Sequence, residues 1–362
     1  TEDTDTSYSV TDYFIGDESL VTYNNTYDGF VEEALVETVE NKIDELFPHV
    51  YKQINLIAQN GNAEIKFSKK GKILISKNFN KVSLLSNADF SHNKQKKYII
   101  NGEKKVDFLV ALGVQDENGR IHDKKQSKFR QINRFLEIVK DVESEIVNDS
   151  KELYVLDLCC GKSYLSFAVY YYFAVLKNYK VVMDCVDLKQ DVISYCNKVK
   201  EKLNYDGLNF ICQNVLDFKV QKQPNLTVSL HACDIATDIV IKKGIKSNSK
   251  VILSTPCCHH EVFNQLKKQG KTLDILLQHS ILKGKFADAL TDNIRCKMLE
   301  SKGYETTAIE LIDPDETPKN VLIKGVKSQR IDSEKMQKSL KEVEDICKLF
   351  NIEPYLYKNL DK

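Results

Sequence analysis

Between residues 153 and 254, five short apolar segments (153–158, 181–186, 208–212, 226–230 and 250–254) alternate with helical patterns at 163–176, 191–203, 236–242 and 261–269. Strands that run nearly unbroken in Val, Ile and Leu are buried on both faces, and a parallel sheet between two helical layers provides that environment. An amphipathic helix over 128–147 precedes the first strand, with Phe129, Ile132, Phe135, Leu136, Val139 and Ile146 on its apolar face. After the fifth strand, a helix at 288–302 leads into two more strands, 305–312 and 320–326, joined by a turn at 313–318. The expected fold is α/β: a Rossmann-like, doubly wound sheet, mostly parallel and closed by an antiparallel hairpin.

At 362 residues the chain exceeds the roughly 250–300 that one hydrophobic core fills, so a second domain is expected. Residues 1–26, rich in Thr, Asp, Ser, Asn and Tyr without a period, read as a loosely ordered arm. Residues 27–125 read as an α+β accessory domain. Phe30, Ala34, Leu35, Val39, Ile43 and Leu46 define a helix, and a second helix runs through Ala58. A hairpin follows at 63–78, where Ile65, Phe67, Ile73 and Ile75 flank the turn Lys69-Lys70-Gly71-Lys72, then a strand or helix at 106–114 and a turn at Gly119. Residues 126–330 form the sheet domain and 331–362 a C-terminal helical extension.

Charge is uneven although it sums to zero. Residues 1–61 hold 13 acidic and 2 basic side chains, whereas residues 62–130 hold 16 basic and 7 acidic. Such a basic block holds a polyanion's phosphates, or simply forms a solvated surface that offsets the acidic block. The longest apolar run, 167–176, is shorter than the ~20 residues of a membrane span, so no membrane partner is expected. Ten irregularly spaced cysteines, with the pairs Cys159-Cys160 and Cys257-Cys258 adjacent, make a poor disulfide framework and point to a reducing, cytoplasmic setting.

The chemistry gathers at strand ends. The first strand runs through Asp157 into Leu158-Cys159-Cys160-Gly161-Lys162-Ser163-Tyr164, a tight turn opening a helix, where the chain must pass close to a ligand. The turn resembles the methyltransferase pattern Asp-x-Gly-x-Gly-x-Gly, with Cys159 and Ser163 in place of glycines. Asp187, followed by Leu188, ends the second strand, where a carboxylate accepts both hydroxyls of a ribose or else caps the next helix. Asn214, Val215 and Asp217 follow the third strand, where class I methyltransferases place an acid or amide near the adenine. A nicotinamide dehydrogenase needs more glycine against its pyrophosphate than Gly161 alone supplies.

The fourth strand ends in His231-Ala232-Cys233-Asp234 and the fifth in Pro256-Cys257-Cys258-His259-His260. His231 is a candidate base or orienting group, and Asp234 faces the substrate or caps the following helix. Neighbouring ligands at 257–260 diverge and lack the C-x₂₋₄-C spacing of structural zinc sites, so no stoichiometric metal is expected. A thiolate at Cys257 or Cys258 is a nucleophile toward a pyrimidine, or the group shapes the substrate pocket without covalent chemistry.

Taken together, Lys128-Phe129-Arg130-Gln131, the Asp157–Leu165 segment, Leu230 to Asp238 and Pro256-Cys257-Cys258-His259 resemble a family of methyltransferase domains that includes the ribosomal RNA adenine dimethylase domain-containing proteins. The resemblance spans roughly residues 128–327. It implies S-adenosylmethionine as cofactor, with Lys128, Asp157, Cys159, Gly161, Ser163, Tyr164, Asp187, Leu188, Asn214, Val215, Asp217 and His231 around it. His231, Asp234, Cys257, Cys258 and His259 then form the catalytic edge. The Asn-Pro-Pro-Tyr motif of adenine dimethylases has no counterpart after Leu230. RNA, either tRNA or rRNA, is the expected substrate and partner. The alternatives are a protein or small-molecule methyltransferase and a non-catalytic, cofactor-binding factor associated with RNA.

Overall fold

The computed structural model describes residues 8–12, 23–27, 53–58, 61–67, 72–78 and, apart from 103, 148–149, 231, 269–271, 312–320 and 331, residues 98–361. The chain divides into two compact units, Thr1–Lys96 and Lys97–Lys362.

In the first unit, β1 (Tyr8–Asp12) and β2 (Tyr23–Tyr27) pair antiparallel, so part of the expected arm is structured. Strands β3 (Gln53–Ala58), β4 (Gly61–Phe67) and β5 (Ile73–Asn78) form an antiparallel sheet. The expected hairpin is present, with Ile65 opposite Ile75 and Phe67 opposite Ile73. The second helix expected through Ala58 is instead β3, because a short Ile-Asn-Leu-Ile run fits either period and pairing with β4 decides it. The helix expected between Asp28 and Leu46 lies outside the described residues.

The second unit begins with α1 (Asp107–Ala111), α2 (Gln126–Asp141) and α3 (Glu143–Ile146), which lead into β6 (Glu152–Leu158). Next come α4 (Tyr164–Tyr170), extended by one π-helical turn over Tyr171–Leu176, then β7 (Lys180–Asp187), α5 (Gln190–Leu203) and β8 (Leu208–Cys212). They are followed by β9 (Leu226–Ser229), α6 (Ile235–Lys246), β10 (Val251–Ser254), α7 (His260–Gln265) and α8 (Ser280–Glu300). The unit ends with β11 (Tyr304–Glu310), β12 (Val321–Lys327), α9 (Ser333–Phe350) and α10 (Tyr355–Asn359). The seven strands lie in the order β11-β12-β10-β9-β6-β7-β8. Neighbours from β10 to β8 are parallel, while β12 runs antiparallel to both β10 and β11. This is the strand order of a Rossmann-like class I methyltransferase sheet, with its order reversing between β6 and β9, where open sheets bind ligands.

Residues 98–125 were expected to belong with the accessory domain. They lie within the sheet unit, where Ile100, Val106, Phe108, Leu109 and Val114 join the core formed with α2, α4 and β6. The C-terminal helices are likewise integral, since Val343, Phe350, Leu356 and Leu360 pack in a core with Leu290, Ile294 and Met298 of α8. Among the described residues no helix is long and apolar enough to cross a membrane.

Gly207 sets how closely the loop before β8 approaches β7. A Cβ there would lie 2.0 Å from the Val181 carbonyl oxygen and 2.9 Å from Tyr170 Cε2, and a backbone oxygen cannot rotate aside. Gly207→Ala should therefore destabilise the protein by about 1–3 kcal/mol or more, seen as a lower urea midpoint at unchanged slope; an unchanged midpoint would contradict this packing.

Candidate active site

The turn after β6 keeps a glycine-like backbone without glycine. Cys159, Gly161 and Ser163 all lie in the left-handed region, at φ 66°, 52° and 56°. For the two non-glycine residues this conformation costs roughly 1–2 kcal/mol each. The turn is held from the neighbouring strand: Cys159 N and Cys160 N both donate to Val186 O, at 2.8 and 3.1 Å. Asp187 Oδ2 accepts from Gly161 N at 2.9 Å, and Asp187 Oδ1 accepts from Lys189 N at 3.0 Å. Each carboxylate oxygen thus keeps acceptor capacity for a further donor.

Asp157 is buried beneath this turn. Its Oδ2 accepts from the Ser166 hydroxyl, while Oδ1 has no hydrogen-bond partner. Burial, with the nearby Asp187 charge adding to it and the Ser166 hydrogen bond opposing it, pushes the Asp157 carboxyl up to about 7. Burial also pushes the Cys159 thiol up to about 12, so it sits in the turn as a neutral group. Lys125 Nζ and Lys128 Nζ lie 5.8 and 5.4 Å from the Tyr164 ring centre. Burial, then the Lys125 charge, lowers the Lys128 pKa.

Beyond Asp187, Leu188 is 65% exposed. In the loop after β8, Asn214 Oδ1 accepts from Leu216 N at 2.9 Å and Asn214 O accepts from Asp217 N at 3.0 Å. Val215 is buried, whereas Asp217 and Leu216 are exposed. Lys243 Nζ donates to Leu216 O and Phe218 O at 3.1 and 2.7 Å, which fixes the loop from α6.

The residues expected at the catalytic edge follow β9 and β10. His231 lies outside the described residues. Asp234 adopts φ 54°, ψ −120°, a conformation that residues with side chains rarely take and that persists only where surrounding contacts impose it. Glu261 N donates to Asp234 Oδ1 at 3.2 Å, and Arg295 Nη2 donates to Asp234 O at 3.0 Å. Cys233 is exposed and Cys257 and Cys258 are half-buried. Their three sulfurs lie within 4.8 Å of one another. Contact with the Cys258 thiol, then burial and Cys257, pushes Cys233 up to about 12.

His259 lies in the loop after β10, just before α7. It is 4% exposed, with Nδ1 2.9 Å from Asp288 Oδ1 and Nε2 2.9 Å from Asp292 Oδ1. Asp292 thus ties His259 Nε2 to α8, whereas Nδ1, beside Asp288, has no hydrogen-bond partner. The same network contains Arg295, 1% exposed, with Nε 2.7 Å from Asp238 Oδ1 and Nη1 3.0 Å from Asp292 Oδ1. Sequence reasoning gave no role to Asp238, although it ends the Leu230 to Asp238 motif, and missed Asp288, Asp292 and Arg295. The available signal was the spacing of Asp288, Asp292 and Arg295, which places charges beside the apolar stripe of Ala287, Ile294 and Met298.

Two outcomes follow from these geometries. Arg295→Met leaves Asp238 and Asp292 buried without their cation and should cost about 3–5 kcal/mol in urea denaturation; a loss below ~1 kcal/mol would contradict the network. For Asp157, the folded-state value of about 7 lies above the ordinary 3.8, so its stabilising effect is complete below about pH 4 and is lost as pH rises through about 7. Asp157→Asn should therefore match the wild type near pH 4 and exceed it by a few kcal/mol near pH 8; a variant less stable at the higher pH would refute the assignment.

Residues 127–265 match a family model described as "Methyltransferase domain". Among curated proteins, the chain is 26% identical over 196 residues to a human "Glutathione S-transferase C-terminal domain-containing protein" and 26% identical over 197 residues to its cattle counterpart. Each match covers 48% of this chain and 30% of the relative, so the chain spans under a third of the length of the curated relatives it matches. Among solved structures, an rRNA methylase from Streptococcus thermophilus is 11% identical over 54% of this chain and 96% of its own, with TM-score 0.36. Magnesium protoporphyrin IX methyltransferase from Synechocystis PCC 6803 is 12% identical over 61% and 93%, also at 0.36. The fold assignment rests on the strand order itself, and the segment matched by the family model carries the turn, Asp187 and both cysteine motifs.

Proposed function

We propose that this chain is an S-adenosylmethionine-dependent methyltransferase acting on RNA. The observation that carries the reading is the triply left-handed turn at 159–163, clamped to the Asp187 carboxylate at the reversal point of the sheet. The donors and acceptors present suit the cofactor. The orphan Asp157 Oδ1 calls for a donor such as an ammonium, and Asp187 retains acceptor capacity for ribose hydroxyls. Leu188 and Leu216 offer exposed aliphatic surface for a purine face.

Bound there, S-adenosylmethionine supplies an electrophilic methyl group on a sulfonium. The residues of the chain do the positioning. Asp187 and Asn214 orient the nucleoside, Asp157 holds the amino end, Lys128 faces the carboxylate, and Asp234 with the cysteine edge shapes the substrate side. In-line positioning and exclusion of water then lower the barrier. Asp157 contributes most as a carboxylate, so cofactor affinity rises as pH passes upward through about 7.

RNA as substrate is supported by the basic block at 62–130, which leads into α2 through Lys124, Lys125, Lys128 and Arg130. Lys94, Lys96 and Lys97 of that block lie outside the described residues. The test is transfer of a tritiated methyl group into fractionated cellular RNA and protein. Label in the RNA fraction is expected; label in protein alone would refute RNA, and cofactor binding without transfer would favour a non-catalytic factor. RNA affinity should fall by about 0.7 log units per log unit of salt for each phosphate contact. Neutralising Lys94, Lys96 and Lys97 together should flatten that slope while leaving cofactor binding intact.

A further inference from the structure

The geometry assigns a metal site to the substrate edge: Cys233, Cys257 and Cys258 form a three-thiolate site for a soft d¹⁰ cation, Zn²⁺. Spacing within 257–260 argued against a metal, but it leaves out the third sulfur, contributed by the loop after the neighbouring strand β9. Ser229 and Ser254 pair across β9 and β10, and Thr255 N donates to Ser229 O at 2.9 Å. Cys233 and Cys257 therefore stand four and three residues past the same rung of the sheet. Cys257 Sγ, 3.7 Å from Ala232 O, is held against the Cys233 loop.

Nor do the neighbouring cysteines diverge. Cys257 Sγ and Cys258 Sγ are 3.7 Å apart. A tetrahedral ion with bonds of about 2.3 Å sets its sulfurs about 3.8 Å apart, so this edge already has the required length. The third sulfur, within 4.8 Å of both, closes the triangle with a side-chain adjustment of about 1 Å or less. Thiolates select Zn²⁺ over Mg²⁺ or Ca²⁺. The strained Asp234 backbone, fixed by Arg295, presents Cys233, and His259, anchored to α8, presents Cys258. On binding, each S–H proton passes to solvent as an S–Zn bond forms, leaving a site of net charge −1. Three protein ligands with Cys233 exposed leave the fourth position to water. This inference stands apart from the methyl-transfer reading.

The experiment uses the full chain, purified without a metal-binding tag. Elemental analysis should give one zinc per chain, and Co²⁺ added after chelator treatment should produce thiolate-to-cobalt charge-transfer absorption. Each of Cys233→Ser, Cys257→Ser and Cys258→Ser should weaken binding at least tenfold, while Cys212→Ser leaves it unchanged. Because a variant can fail to fold, alkylation of the wild-type protein with iodoacetamide provides a second readout. Zn²⁺ should protect Cys233, Cys257 and Cys258 together, and chelator should expose them together. No bound metal with equal alkylation in either state would overturn the site, as would a disulfide among the three cysteines in place of metal.

Discussion

A single buried guanidinium organises the carboxyl edge of the sheet. Arg295 reaches from α8 to the Asp238 carboxylate, the Asp292 carboxylate and the Asp234 carbonyl, and through Asp292 it joins His259. Burying these charges costs several kcal/mol per ion, which only near-complete pairing offsets. That requirement ties three separate segments, the loop after β9, the loop after β10 and α8, into one geometry. Asp234 can hold its strained backbone because the network fixes its carbonyl on one side and Glu261 N its carboxylate on the other.

The turn after β6 is organised differently. There the backbone itself is the scaffold, with the turn at 159–163 bent into a shape that glycine adopts at no cost and held by Val186 and Asp187 of the neighbouring strand. The energy stored in Cys159 and Ser163 is local, whereas the Arg295 network spreads its cost over a whole edge. An edge fixed by ionic pairing and a turn fixed by β7 together leave little to reorganise when ligands arrive, which is the condition for accurate positioning.

Much of this was legible in the sequence. Apolar runs leading to Asp157, Asp187 and the Asn214 loop located the first three strands and their carboxyl ends, because parallel strands buried on both faces leave no other pattern. Cys159 and Ser163 were legible as glycine replacements, although only the backbone shows that the glycine conformation is kept. The edge after β9 and β10 was harder to read. The surroundings of His259 were hidden, because Asp288 and Asp292, whose carboxylates lie beside its ring, are about thirty residues away on a helix. Cys233 and Cys257 meet only because β9 and β10 are paired. Residues 53–58 carry too few apolar positions to separate a strand from a helix, and pairing with β4 decides their state.

The central claim, that the β6 turn and Asp187 form an S-adenosylmethionine pocket, is tested most directly by isothermal calorimetry with the cofactor. Wild-type protein and Asp187→Ala should be compared, with Asp187→Asn as the variant that keeps an acceptor for Gly161 N. Charge-assisted bonds to ribose hydroxyls contribute about 1.5–3 kcal/mol, so Asp187→Ala should bind about 10- to 100-fold more weakly than the wild type. Equal affinity in the two proteins, or no binding by the wild type, would contradict the account.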